Sequence, residues 1–235
     1  MVKGIYLAAR GMQARMKNLE VVANNLANLN TTGFKEEIPF SMIMNQYGKV
    51  QLQQNTDFEQ GNLMETANPL DIAISGKGNF VVQTPNGTEL TRNGNFKISD
   101  EGYLVDQDGN KVMGNNGAVY LDNLTTAQKK TISISKTGEI SLGQDVIDNL
   151  TIAKMNDPQE APRTTGVNFS ADGVGYQIAP QGDYTVRQGY LEESNVNPIK
   201  EMETMIQLNN EYDSAHRIIN YLDKSLDEAN QVGKV

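Results

Sequence analysis

The sequence predicts an α+β protein in which both chain ends are helical and a β-rich domain lies between them. Apolar residues recur every seven positions near the N-terminus and alternate steps of three and four near the C-terminus. Turn pairs that contain glycine recur through residues 70–190 between short apolar runs. The predicted domains are a terminal helical domain (1–35 and 193–235), an extended connector or hairpin (36–69) and the β-rich domain (70–192).

The first helix is predicted from about residue 3 to residue 29, with Gly33 ending it as a residue of positive φ. Its apolar seam has the spacing of a coiled coil, interrupted at Arg15. The asparagines near its end predict either amide contacts to another helix or a fraying polar terminus. The predicted assembly residues of this helix are Ile5, Met12, Leu19, Val22, Asn24, Asn25, Leu26, Asn28 and Leu29.

The second helix is predicted to begin with Asn197 as its N-cap and Pro198 at its first position, and to end near residue 229. Residues 1–35 carry a net charge of +4 and residues 200–235 a net charge of −3, which favours contact between the helices in one subunit or between neighbours. The alternative is two ordinary helices that cap a globular domain. The predicted assembly residues of this helix are Met205, Leu208, Tyr212, Ile219, Leu222 and Leu226.

Composition argues against several classes of function. The net charge of −9 disfavours nucleic-acid binding, and the absence of cysteine rules out thiol chemistry and disulfides. His216 is the only histidine and has no constellation of nucleophile or metal ligands around it in the sequence. The run from Asp106 to Gly109 resembles part of a calcium loop, but a hairpin turn is the better interpretation. We therefore expect no enzyme activity, no cofactor, no membrane insertion and no cleavable signal peptide.

Residues 23–28 (ANNLAN) followed by residues 31–35 (TTGFK) resemble the N-terminal signature of bacterial flagellar rod and hook proteins. Three further blocks agree in order, and the resemblance covers essentially the whole chain. They are QGNL with NPLDIAI (60–63, 68–74), TRNGNF with EGYLV (91–96, 101–105) and QGYLEESNVN (188–197). RNGNF (92–96) and NVNPI (195–199) are most similar to the proximal rod protein, with the distal rod protein next.

This resemblance implies a structural subunit of the flagellar basal-body rod, located where the rod spans the periplasm. Its terminal helices would join copies of itself and neighbouring rod and hook-family proteins in a helical tube. That tube transmits torque and serves as an export channel, with the β-rich domain outside it. The resemblance also implies delivery by the flagellar export apparatus. Two segments are similar to its short recognition element, Phe34 with Ile38 and Phe40 with Met44, and the choice between them stays open.

Two other classes compete with this interpretation. A binding module would carry its ligand site on the β-rich domain and use the helices as a stalk, and it should show a signal peptide and ligand-facing aromatic residues. A periplasmic enzyme acting on peptidoglycan would need a catalytic constellation. The sequence shows neither set of features.

Overall fold

A computed structural model describes residues 2–44, 50–121, 132–164 and 166–232. It has an N-terminal helix, a β-rich middle and a C-terminal helix, which confirms the α+β class. By its internal contacts the chain divides into a helical unit (Met1–Leu29, Glu36–Asp57 and Val196–Val235) and a β unit (Asn30–Lys35 and Phe58–Asn195). Residues 30–35, which are predicted as part of the terminal helical domain, group with the β unit by their contacts.

The helical unit contains two long helices and one hairpin. Helix α1 spans Val2–Ala27 and helix α2 spans Pro198–Val232. The side chain of Asn197 accepts the backbone N–H groups of Ile199 and Lys200, which confirms the predicted N-cap. The connector region forms the antiparallel hairpin of β1 (Glu37–Met44) and β2 (Val50–Thr56). None of the described helices is long and apolar enough to cross a membrane.

The β unit is built from short antiparallel strands joined by tight turns. The predicted hairpins are present, with β5 pairing β6 around Asn86-Gly87 and β11 pairing β12 around Thr137-Gly138. The strands are β3 (Leu63–Glu65), β4 (Ile72–Gly76), β5 (Asn79–Thr84), β6 (Gly87–Thr91), β7 (Lys97–Ile98), β8 (Leu104–Val105), β9 (Lys111–Gly114), β10 (Gly117–Ala118), β11 (Ile132–Ile134), β12 (Glu139–Leu142), β13 (Asp145–Asn149), β14 (Ile152–Met155), β15 (Asn168–Ser170), β16 (Tyr176–Ile178), β17 (Tyr184–Gln188) and β18 (Tyr190–Glu192).

Most of the buried apolar side chains described lie in the β unit. The rings of Phe80 and Phe96 meet edge to face at its centre, with 5.1 Å between ring centroids. Fully buried aliphatic side chains from several strands surround them, namely Ile72, Ile74, Val82, Leu104, Val112, Ile140, Ile152 and Val186. By contrast, Val21 and Val22 are the buried apolar side chains described on α1, and α2 is described with none. The β unit therefore has a core of its own, whereas the described parts of the two helices bury few apolar side chains within one chain.

The segment that resembles part of a calcium loop is a turn between β8 and β9. One carboxylate oxygen of Asp106 accepts the backbone N–H groups of Asp108 and Asn110 at 3.0 and 2.8 Å. Its other oxygen accepts the side-chain amide of Asn110. Asp106 thus holds the hairpin turn that the sequence favoured.

Candidate assembly site

The predicted residues of α1 lie in different environments. Val22 and Asn25 are fully buried, and Asn24 is exposed. The others with described side chains are half-buried, namely Met12, Leu19, Leu26, Asn28 and Leu29. Ile5 lies on α1, and its side chain is outside the described residues. Along the part of α1 whose side chains are described, burial is therefore concentrated in the two turns that end the helix.

The predicted stripe of α2 is half-buried along its described length, at Met205, Leu208, Tyr212, Ile219 and Leu222. The side chain of Leu226 is outside the described residues. Helices α1 and α2 contact each other, and Nε of Arg15 lies 3.0 Å from a carboxylate oxygen of Glu211. Both side chains are more than a third exposed, so this ion pair contributes at most a fraction of a kcal/mol, of order 0.2–1. Arg15, which interrupts the seam in the sequence, therefore has a partner on α2.

A second set of apolar residues on α2 was not predicted. Ile199, Met202 and Ile206 lie one turn apart on one side of the helix, and all three are exposed. We call them the α2 patch. Further along, Ile218 and Tyr221 form an exposed pair at the same three-residue spacing. The sequence contains a signal for this patch, because its residues are spaced by three and four positions, as in the predicted apolar stripe of α2 beside them.

A groove of about 660 Å³ lies between the two helices within the helical unit. Gly11 of α1 opens it because glycine has no side chain to fill the space, and the guanidinium of Arg15 lies beside it. On the α2 side the groove is lined by Ile206, Ala215 and Ile218 together with polar side chains. The α2 patch and this groove share Ile206, so the exposed apolar surface is continuous there.

Asn25 joins three segments of the helical unit. Its amide nitrogen donates to the backbone oxygen of Glu37 at 2.8 Å, and its amide oxygen accepts the backbone N–H of the same residue at 2.9 Å. The nitrogen also donates to the carboxylate of Glu201 on α2 at 3.1 Å. The asparagine-rich end of α1 thus makes an interhelical amide contact at Asn25. Asn28 donates instead to Asn24 one turn back.

The carboxyl group that receives this amide is buried. Glu201 is 2% exposed. Burial raises its pKa above the ordinary value, and the neighbouring Glu36 carboxylate adds to the rise. The hydrogen bond from Asn25 and the charge of Lys200 act in the opposite direction. The native state therefore holds this proton more tightly than the unfolded chain does. Stability from this group is present at low pH and is lost as the pH rises through the raised pKa.

We expect Glu201→Gln to stabilise the helical unit at pH 7, because glutamine keeps an oxygen for Asn25 and removes the buried charge. The gain should shrink as the pH falls towards the ordinary carboxyl value. Urea unfolding followed by far-ultraviolet circular dichroism between pH 5 and pH 8 measures it. Glu203→Gln, an exposed change on the same helix, is the control. A variant that is less stable than wild type at pH 7 would contradict the interpretation.

The two segments similar to an export element differ in what the structure describes. Phe34 is buried in the β unit, with the guanidinium carbon of Arg163 4.5 Å from its ring centroid. Its partner in the pattern, Ile38, lies on β1 and is 43% exposed. Phe40 and Met44 also lie on β1, and their side chains are outside the described residues. The Phe34 side chain is therefore inaccessible in the folded β unit.

Comparisons with known proteins agree with this architecture. Three family models match the chain in order. "Flagella basal body rod protein" matches residues 5–35, "Flagellar hook protein FlgE/F/G D1 domain" matches residues 73–142, and "Flagellar basal body rod FlgEFG protein C-terminal" matches residues 187–232. The first match covers most of α1, the second lies within the β unit, and the third covers all of α2.

Similar full-length proteins carry two related names. The chain is 32% identical to the flagellar basal-body rod protein FlgG of Borreliella burgdorferi, over 99% of each chain. It is 31% identical to the FlgG of Agrobacterium fabrum, over 95% of this chain and 96% of that protein. It is 28% identical to the flagellar basal-body rod protein FlgF of Caulobacter vibrioides over the whole of both chains. The chain belongs to the flagellar basal-body rod protein family and is a structural subunit of the rod.

Proposed function

We propose that this rod subunit assembles through its terminal helices with copies of itself and with neighbouring rod and hook-family proteins. The product is a helical tube that transmits torque and serves as an export channel, with the β unit outside it. The α2 patch is the observation that carries the proposal. Ile199, Met202 and Ile206 are exposed in the single chain, and clusters of large exposed apolar side chains mark protein contact surfaces.

Charge on the helices supports a second copy of this chain as the partner. Arg10 and Lys17 are exposed on α1, whereas Glu203, Asp213 and Asp223 are exposed on α2. A basic helix and an acidic helix attract each other when neighbouring copies bring them together. The same asymmetry disfavours contact between two α2 helices, because acidic side chains would then face each other. We therefore propose that the α2 patch of one subunit meets the α1 helix of the next.

The position within the rod and the route to it are further parts of the proposal. The blocks at 92–96 and 195–199 favour the proximal part of the rod, which spans the periplasm, and the distal part is the alternative. Delivery by the flagellar export apparatus would use Phe34 with Ile38 or Phe40 with Met44. Because Phe34 is buried in the folded β unit, its use requires the chain to be exported before that unit folds.

Removing the gene tests the proposed function. Basal bodies purified from the deletion strain should lack part of the rod when they are viewed by electron microscopy, and the cells should not swim. Expression of the chain from a plasmid should restore both. Complete rods and normal swimming in the deletion strain would contradict the proposal. If the chain were instead a binding module displayed on a helical stalk, the deletion strain would have complete rods and swim normally, since loss of the module leaves the rod intact.

A further inference from the structure

A single buried carboxylate in the β unit holds two cations. Glu192, the last residue of β18, is fully buried. Its Oε1 atom accepts the Lys35 ammonium at 2.6 Å, and its Oε2 atom accepts the Arg92 guanidinium at 3.2 Å. Oε1 also accepts the backbone N–H of Gly61 at 3.2 Å. Lys35 is as fully buried as Glu192, and Arg92 is nearly so.

The two cations also donate to backbone oxygens. Lys35 donates to the carbonyl oxygen of Glu59 at 2.6 Å, and Arg92 donates to those of Ile74 and Gly76 at 3.3 and 2.8 Å. Because two cations share one anion, the cluster carries a net positive charge, which these carbonyl dipoles help to offset. Glu192 is therefore the one anion of the cluster, and its loss would remove an ion pair from each of two buried cations.

Lys35 and Glu192 lie in the segments that connect the β unit to the two terminal helices in the sequence. Lys35 ends a six-residue segment of the β unit, residues 30–35, that lies in the sequence between α1 and β1. Glu192 lies six residues before Pro198, the first residue of α2. The backbone joins the two segments again, because the N–H of Gly33 donates to the backbone oxygen of Glu192 at 2.7 Å. The chain that leaves α1 and the chain that enters α2 are thus held by the same residue.

We infer that Glu192 is a positioning residue that anchors the connections of both terminal helices in the β unit. Torque between the helices and the β unit then passes through this anchor, which we call the Glu192 anchor (Lys35, Arg92 and Glu192). This inference rests on the proposed function, because it assumes that the rod bears load. The inference gives Lys35, Arg92 and Glu192 a role in transmitting load, which is distinct from a role in assembly.

The charges of the anchor predict an order of effects. Lys35→Met removes one of two cations and leaves the neutral pair of Arg92 and Glu192. Glu192→Gln leaves both cations without their anion, so it should lower the melting temperature of the β unit far more, by about 10 °C. We therefore expect Lys35→Met to loosen residues 30–35 while the β unit stays folded.

Hydrogen exchange on the purified full chain tests the anchor. In Lys35→Met the amide of Gly33 should exchange about tenfold faster than in wild type, while the amides of β5 are unchanged. Lys35→Arg should restore protection, since it keeps a buried cation. Lys154→Met is the control, because it removes a lysine that pairs with Asp183 at 3.0 Å on the exposed surface of the same unit. Unchanged protection at Gly33, or equal loss throughout β5, would contradict the anchor.

Swimming under load tests its mechanical role. The Lys35→Met strain should build complete rods but swim more slowly than the Lys154→Met strain in a viscous medium. Thr32→Val, which removes the 2.8 Å hydrogen bond from Thr32 to Asn93 without changing a charge, should act in the same direction. Complete rods with normal swimming under load in both variants would overturn the load path, while the proposed function would stand. Complete rods in the deletion strain would overturn both the load path and the proposed function.

Discussion

Gly94→Ala is expected to lower the melting temperature of the β unit by about 10 °C or more, which corresponds to a loss of roughly 3–5 kcal/mol in the free energy of unfolding. A Cβ atom on Gly94 would overlap the backbone oxygen of Ile72 and lie 2.7 Å from its carbonyl carbon. The same atom would lie 3.1 Å from the ring of Phe80, which belongs to the central aromatic pair. The Gly94 carbonyl also accepts the N–H of Ile72 at 3.0 Å, so neither backbone segment can move without losing that bond.

Gly109 provides the matched control for this change. It has φ of +88°, and a Cβ atom there would meet nothing within 4 Å. Gly109→Ala therefore adds backbone strain alone, about 1–2 kcal/mol, without a steric overlap. Differential scanning calorimetry of the two variants compares the effects. Equal shifts in melting temperature would mean that the close approach of Gly94 to Ile72 does not limit the packing of the β unit.

The sequence predicted the elements whose signals are local. A helix over the N-terminal residues, an N-cap at Asn197 followed by proline, and a turn pair at Asn86-Gly87 follow from signals close together in the sequence, and the structure has each of them there. Helix α1 ends two residues before the predicted position, at Ala27. The β-rich character of the middle region was equally readable, because its turns recur at short intervals.

The anchor and the α2 patch could not be predicted in the same way. The sequence does not show that Lys35 and Arg92 are buried, because their shared partner Glu192 lies 157 and 100 residues further along the chain. Lys35 and Arg92 each lie in one of the blocks that resemble rod proteins, and this resemblance was the signal in the sequence that pointed to them. The exposure of Ile206 depends on which face of α2 meets α1, and periodicity alone does not decide between two adjacent apolar stripes.

A carboxylate at position 206 is expected to abolish rod assembly while leaving the folded chain unchanged. Ile206 is 63% exposed, so the aspartate of Ile206→Asp stays in water in the single chain and alters stability little. In the proposed tube the same side chain lies against a neighbouring subunit, where an unpaired charge costs several kcal/mol. Because the penalty recurs at every subunit, polymerisation should fail long before the β unit is affected.

Val146→Asp is the control, since it makes the same kind of change at an apolar side chain of the β unit that is 61% exposed. Both variants should be as stable as wild type when the purified chains are unfolded by heat. A difference between them in the cell would then report assembly rather than folding.

Electron microscopy of basal bodies from the Ile206→Asp strain is the most direct test of assembly through the terminal helices. At wild-type protein levels, the basal bodies should lack the part of the rod that this subunit builds, whereas those of the Val146→Asp strain should be complete. Complete rods in the Ile206→Asp strain would contradict the account, because they would show that the α2 patch stays in water in the assembled rod.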